Sequence, residues 1–220
     1  MTAVFRSLGF ILFMVALIGC QTKSSQPQLQ EGDLLFQDLD CGALCDAIET
    51  VTEGIDGKDF SHCGMVVLVD DTLRVIEAIG EGVQLNSLED FYKRSGSTDE
   101  TITVGRVKND YQILINDASD FAIARLGEGY DQPFHLDNGK WYCSELLYES
   151  FKSANGGSDF FELAPMTFKD PETKEFFPAW VAYYAELGEA IPEGEPGLNP
   201  GSISRSQKID ILSVRLVSEL

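Results

Sequence analysis

Only two histidines, His62 and His135, occur in the 220 residues of this chain, so chemistry that needs an imidazole is confined to two places. His62 opens the apolar run Phe60-Ser-His-Cys-Gly-Met-Val-Val67, whereas His135 lies among Tyr130, Asp131, Gln132 and Pro133 in a segment that reads as loop. A histidine at a strand end is commonly structural; a nucleophile within reach changes its role. Cys143 is the candidate nucleophile. In Lys140-Trp-Tyr-Cys-Ser-Glu-Leu-Leu-Tyr-Glu-Ser-Phe151, the residues Leu146, Leu147 and Phe151 share one face of a helix whose first turn holds Cys143. Unpaired N–H groups and the positive end of the helix dipole favour thiolate over thiol at that place, and the same N–H groups can receive a developing oxyanion. A thiol so placed and an imidazole are the two parts of a Cys-His nucleophile pair. Spacing alone leaves a small buried core cysteine as the equal alternative.

The chain carries five cysteines. One of them belongs to an export segment: Arg6 precedes an apolar run from Leu8 to Gly19, about a dozen residues where a membrane span needs roughly 20. The run closes on Leu17-Ile18-Gly19-Cys20, which resembles the bacterial lipobox, with Cys20 as the lipidated residue. Polar residues 21 to 30 then read as a tether, and Gln21 after the cysteine resembles lipoproteins sent to the outer membrane, facing the periplasm or the surface. Cys41, Cys45, Cys63 and Cys143 remain, in a compartment that permits disulfides, and their connectivity is open. The Cys41/Cys45 spacing could serve a disulfide, a metal or neither. A structural metal wants about four ligands. The only other cluster is His62-Cys63, and neighbours on a strand point to opposite faces, so no metal is expected.

With 16 basic and 36 acidic residues the net charge is -20, which excludes nucleic acid and anionic lipid as the main partner and suits cationic or neutral ligands. The same like charge favours a monomer. Expected boundaries are a signal peptide over 1–19, a lipidated tether over 20–30 and one domain over 31–220.

The elements that must position these groups follow from periodicity and punctuation. Strands are expected over Gly32–Gln37, Ser61–Val69, Leu73–Ile79 and Thr101–Val107, with Gly80–Leu85 extending the sheet and Lys208–Val214 closing it. Helices are expected over Cys41–Thr52, from the capping-box spacing of Ser87–Asp90, from a cap at Asp110 to Leu126, over Trp141–Ala154, and from Pro178 to Leu187. The Pro- and Gly-rich stretch from Glu189 to Ser202 reads as a long loop. The fold class is α+β, an antiparallel sheet packed with helices. If Asp70-Asp71 makes a two-residue hairpin turn, Glu77 falls on the face of His62, one diagonal away at about 7 to 8 Å.

Gly32-Asp33-Leu34-Leu35-Phe36, Ser61-His62-Cys63-Gly64-Met65-Val66, Val75-Ile76-Glu77-Ala78 and Tyr142-Cys143-Ser144-Glu145-Leu146 resemble the motif series of the papain-like NlpC-type amidases. Their order, with the cysteine helix last, is similar to the circularly permuted, YiiX-like branch. Cys63 departs from the aliphatic residue of many relatives. The resemblance implies a permuted papain-like fold, Cys143 as nucleophile, His62 as base and Glu77 as the group that orients the imidazole. It also implies that Tyr130 and Asp131 line the pocket and that Asp33 is structural, while Phe160, Phe161, Phe168, Trp180 and Tyr183 read as core. The expected activity is hydrolysis of an amide through a thioester, in a small peptidoglycan-type peptide or another amine-bearing envelope substrate, with no cofactor. A lipid acyl hydrolase or acyltransferase with the same triad, and a binding lipoprotein with an unreactive Cys143, are the alternatives.

Overall fold

Asp70 and Asp71 reverse the chain with positive φ at both residues (49° and 58°), the backbone that a two-residue hairpin turn demands and that Asp tolerates through its short polar side chain. The computed structural model describes residues 28–39, 41–95 and 101–215; the expected signal peptide, Cys20 and tether residues 21–27 lie outside them. In chain order the elements are β1 (Leu34–Gln37), α1 (Ala43–Val51), β2 (His62–Val69), β3 (Thr72–Ile79), β4 (Gly82–Asn86), α2 (Leu88–Lys93), β5 (Thr101–Val107), α3 (Ile115–Ile123), α4 (Cys143–Ala154), β6 (Ala164–Pro165), α5 (Pro178–Leu187), β7 (Pro196–Gly197), α6 (Pro200–Ser204) and β8 (Ile209–Arg215).

Six strands form an antiparallel sheet in the order β4-β3-β2-β1-β5-β8, while β6 and β7 pair separately. Side chains alternate across the sheet and feed two cores. On one face Leu34, Phe36, Cys63, Met65 and Val67 pack against Leu146, Leu147 and Phe151 of α4. On the other Leu35, Val66, Val75 and Val104 pack against Phe91 of α2. Complete burial of Leu146, Leu147 and Phe151 is worth roughly 1.5 to 3 kcal/mol each, which fixes α4 on the sheet far more firmly than helix propensity could. A third cluster joins Ala47 of α1 to Phe168, Trp180 and Tyr184 around α5. Cys41 and Cys45 are disulfide-bonded at the start of α1.

The mixed class and the antiparallel sheet are as the sequence predicts, and so are the hairpin register Val69↔Thr72, the bounds of β5 and those of α5. Two segments differ. Asp110 does not cap a long helix: Asn109–Leu114 is a 3-10 turn that runs straight into α3. Its Tyr111 packs edge-on against Phe160 at 5.3 Å, and that tertiary contact holds the tighter winding. The predicted loop 189–202 also contains β7 and the start of α6. Asn199 caps α6, its side-chain oxygen accepting from Ser202 N at 2.7 Å, with Pro200 in the first turn.

Gly201 shows how tightly α6 docks: a Cβ there would lie 2.0 Å from the carbonyl oxygen of Thr52 and 2.8 Å from that of Glu53. Helix propensity by itself makes Gly→Ala stabilising by about 1 kcal/mol. Gly201→Ala is expected to do the reverse, lowering the urea midpoint by the equivalent of about 1 to 3 kcal/mol, because neither backbone oxygen can step aside. A midpoint equal to the parent's or higher would contradict this packing.

Candidate active site

Cys143, the candidate nucleophile, is placed by the first turn of α4. Tyr142 precedes it in extended backbone and donates its N–H to the Glu145 carboxyl at 3.4 Å. Ser144 Oγ donates to the carbonyl of Leu198 at 2.9 Å, tying this turn to the segment between β7 and α6. Cys143 is therefore the first helical residue, nearly buried, and its N–H and that of Ser144 have no acceptor within the helix. N–H groups at such a place can receive the charge that gathers on a carbonyl oxygen attacked by the sulfur.

His62 begins β2 and Glu77 lies on β3. His62 Nε2 and Glu77 Oε2 are 2.6 Å apart, and Glu77 is 0% exposed. The hairpin register predicted this diagonal, and Gly64 opens the space for it: a Cβ at Gly64 would lie 2.7 Å from Val75 Cγ1 and 3.2 Å from Glu77 Cβ. The second carboxylate oxygen is also engaged. Asn86 Nδ2 of β4 donates to Glu77 Oε1 at 2.8 Å, and the Arg94 guanidinium at the end of α2 donates to the same atom. Burial would raise the Glu77 pKa, but His62 and Arg94 outweigh it and hold the group below its ordinary value. Phe91 of α2, its ring 5.9 Å from the imidazole, closes this side against water.

With Nε2 committed to Glu77, Nδ1 is the imidazole nitrogen left for Cys143. Burial works to lower the His62 pKa, yet hydrogen bonds to Cys143 and Glu77 lift it to about 9. The Cys143 pKa moves the other way, well below its ordinary value: the Cys63 thiol donates to its sulfur, and His62 adds to this against the cost of burial. Cys63 correspondingly rises, through burial and its bond to Cys143. Both shifts favour a thiolate–imidazolium pair over a thiol beside a neutral imidazole. Although His62 and Cys63 are successive strand residues, both are hydrogen-bond partners of Cys143.

The structure separates the remaining residues singled out by the sequence. Tyr130 lines a cavity at Cys143, whereas Asp131 is fully buried behind it, with Oδ1 held by Asn138 at 2.8 Å. Asp33 is remote from the thiolate and bound by both nitrogens of Arg106 at 2.8 and 2.7 Å, the structural role expected of it. His135 pairs with Glu195 at 3.2 Å and takes no part in the site. Phe160 and Phe161 are core; Phe168 and Trp180 are core and also line the cavity. Sequence reasoning did not single out Asn86 or Arg94. Asn86 closes a strand and Arg94 follows a short helix, and nothing local to either residue announces Glu77. It also gave no role to Glu145, which burial and the nearby Asp131 raise to about 8.

A family model described as permuted papain-like amidase enzyme, YaeF/YiiX, C92 family, matches residues 28–213. The uncharacterized protein YiiX of Escherichia coli (strain K12) is 26% identical over 149 residues, which is 66% of this chain and 68% of that protein. The crystal structure of metalloprotein yiiX from Escherichia coli O157:H7 superposes with a TM-score of 0.64 at 24% identity, covering 84% of this chain and 97% of that one. At that identity the superposition speaks for the fold.

Two outcomes follow from the charges. Glu77→Gln keeps the shape but removes the charge that stabilises imidazolium, so the pH midpoint for iodoacetamide alkylation of Cys143 should move up, and an unmoved midpoint would place the orienting role elsewhere. Glu145 binds its proton more tightly folded than unfolded, so stability should fall as pH rises from about 4.5 to about 8. Glu145→Gln is expected to remove that part of the slope and to raise the melting temperature relative to the parent at pH 8. Parallel stability–pH curves for the two proteins would show that Glu145 ionises freely in the fold.

Proposed function

The chain belongs to the permuted papain-like amidases, and from that premise we propose that it is a lipid-anchored cysteine hydrolase that splits an amide in a small, amine-bearing peptide of the cell envelope. The observation that carries the reading is Cys143 at the start of α4 beside His62, whose imidazole is held by the buried carboxylate of Glu77.

The steps follow from that arrangement. The Cys143 sulfur attacks the amide carbon, forming a C–S bond, while the N–H groups of Cys143 and Ser144 receive the charge on the oxygen. His62 then gives its proton to the departing nitrogen, the C–N bond breaks and the amine leaves. Water attacks the thioester with its proton going to His62, the C–S bond breaks, and the acid departs. Glu77 holds the ring and its charge through both halves. The solved relative is a metalloprotein. Among the described residues of this chain no group of three or more His, Cys, Asp and Glu side chains is placed to hold a metal ion, and no step is assigned to one.

An amine as leaving group is supported by charge. Glu49 of α1, beside Ser61, is pushed up to about 7 by burial and by its neighbours Asp38 and Asp59. This is an acid group adjoining the strand end that carries His62, within a chain of net charge -20. A peptidoglycan-type peptide bearing a diamino acid fits that field. The lipid acyl hydrolase or acyltransferase reading draws on a different feature, the apolar walls of the cavity at Cys143. The lipobox-like Leu17-Ile18-Gly19-Cys20 supports an anchor in the outer membrane.

Incubation of the full chain with amine-bearing envelope peptides, followed by mass spectrometry, should reveal one new acid and one new amine, both abolished in Cys143→Ser. Full alkylation of Cys143 by iodoacetamide with no amide cleaved would turn the reading towards a binding lipoprotein. Cys20→Ala should move the protein from the membrane fraction to the soluble one with its melting temperature kept; soluble protein from the unaltered gene would refute the anchor.

A further inference from the structure

A cavity of about 150 Å³ opens beside Cys143, at the opposite end of the fold from the Asp33–Arg106 pair. Most of its walls come from elements that the triad does not use, among them Val51 of α1, Phe134 before α4, Met166 and Phe168 after β6, Trp180 of α5 and Leu198 after β7. Cys143 and Ser144 form part of its lining, so whatever fills it is continuous with the carbon that the sulfur attacks.

The composition of these walls is selective. Not one lining side chain is Asp, Glu, Lys, Arg or His, in a chain that carries 36 acidic and 16 basic residues. A charged group entering here would lose its water and meet no counter-charge, a cost of several kcal/mol, whereas an apolar group gains from leaving water. The walls are also preformed. Ala47 locks α1 to Trp180 and Tyr184, and Gly197 admits Met166 so closely that a Cβ at 197 would lie 2.7 Å from Met166 Cγ. Hydroxyls such as those of Thr52 and Tyr142 and the amide of Asn199 interrupt the mainly apolar lining, and a cavity of roughly this size has room for one aromatic ring.

The geometry points to this cavity as the subsite for the acyl half of the substrate, taking an uncharged apolar acyl group of about one aromatic ring or a six-carbon chain. This deepens the proposed amide hydrolysis and rests on it for the identity of the attacked carbon. It assigns the acyl half of the substrate to the cavity and leaves the amine half outside it. It also excludes an acidic acyl group such as γ-glutamyl.

The test uses the full chain and aminomethylcoumarin amides carrying acetyl, hexanoyl, phenylacetyl, phenylalanyl, hexadecanoyl or γ-glutamyl groups. Each methylene taken from water is worth roughly a factor of four, so kcat/KM for hexanoyl should exceed that for acetyl by more than about tenfold, with γ-glutamyl lowest. Phenylalanyl above hexadecanoyl identifies an apolar amino-acid residue as the source of the acyl group; the reverse order identifies a lipid chain. Met166→Asp should remove the preference for hexanoyl, and Met166→Leu, which keeps the wall apolar, should retain it. Equal rates for acetyl and hexanoyl, or γ-glutamyl as the best substrate, would overturn the assignment. Binding is read apart from turnover in Cys143→Ala, where hexanamide should raise the melting temperature more than acetamide or glutamine does. If no coumarin amide is cleaved, that ordering still upholds the subsite and only the hydrolytic reading falls; no shift with hexanamide rejects the subsite itself.

Discussion

A carboxylate with no exposed surface cannot remain charged in a protein unless partners replace the water it has lost, and the organisation of this site follows from how Glu77 meets that demand. One oxygen receives His62; the other receives Asn86 and Arg94. Four elements are thereby tied to one side chain: β2 through His62, β3 through Glu77, β4 through Asn86, and the end of α2 through Arg94. Loss of any one partner leaves a buried charge undersatisfied, so the ring that assists the nucleophile is held by the same bonds that hold the sheet edge together. Cys143 and Glu77 raise the pKa of the imidazole, and Cys63 and His62 lower that of Cys143. Each charge is affordable only because the next one is present.

The second half of the molecule works by a different principle. Around α1, α5 and the β6–β7 pair the contacts are aromatic and aliphatic, with Trp180 meeting Phe168 edge-on at 5.0 Å and Phe134 at 5.8 Å. Offset and edge-on rings pack without collapsing into each other, which leaves a walled space rather than a filled core. Ser144 links the two halves, since its hydroxyl on the carbonyl of Leu198 pulls the cavity wall against the first turn of the nucleophile helix. Cys143 thus adjoins both the charge-compensated His62–Glu77 pair and a cavity with no charged side chain in its lining.

The position of the nucleophile helix in the chain has no bearing on this geometry. α4 follows both β2 and β3, yet it brings Cys143 to the end of β2, because the burial of Leu146, Leu147 and Phe151 fixes where the helix lies whatever the order of connection. A permuted chain therefore reaches the same local arrangement from different loops.

The sequence alone singled out Cys143, His62 and Glu77, which the structure brings together, and was sufficient for the antiparallel sheet and for most of its helices. These depend on local patterns: a face of Leu146, Leu147 and Phe151 at helical spacing, and two aspartates between runs of alternating apolar residues, which set the register that puts Glu77 diagonal to His62. Capping at Ser87 and the first-turn proline at Pro178 are equally local. Tertiary structure decided the rest. Asn86 and Arg94 acquire their role from a carboxylate on a different strand, and no spacing in the chain encodes that convergence. The 3-10 turn at Asn109–Leu114 replaces a predicted helical start because Tyr111 meets Phe160, far away in sequence. The cavity joins Val51, Phe134, Met166, Trp180 and Leu198, each of which reads in isolation as ordinary core. A periodic pattern shows which face of an element avoids water; only packing against a partner determines whether that face becomes filled core or the wall of a space beside a nucleophile.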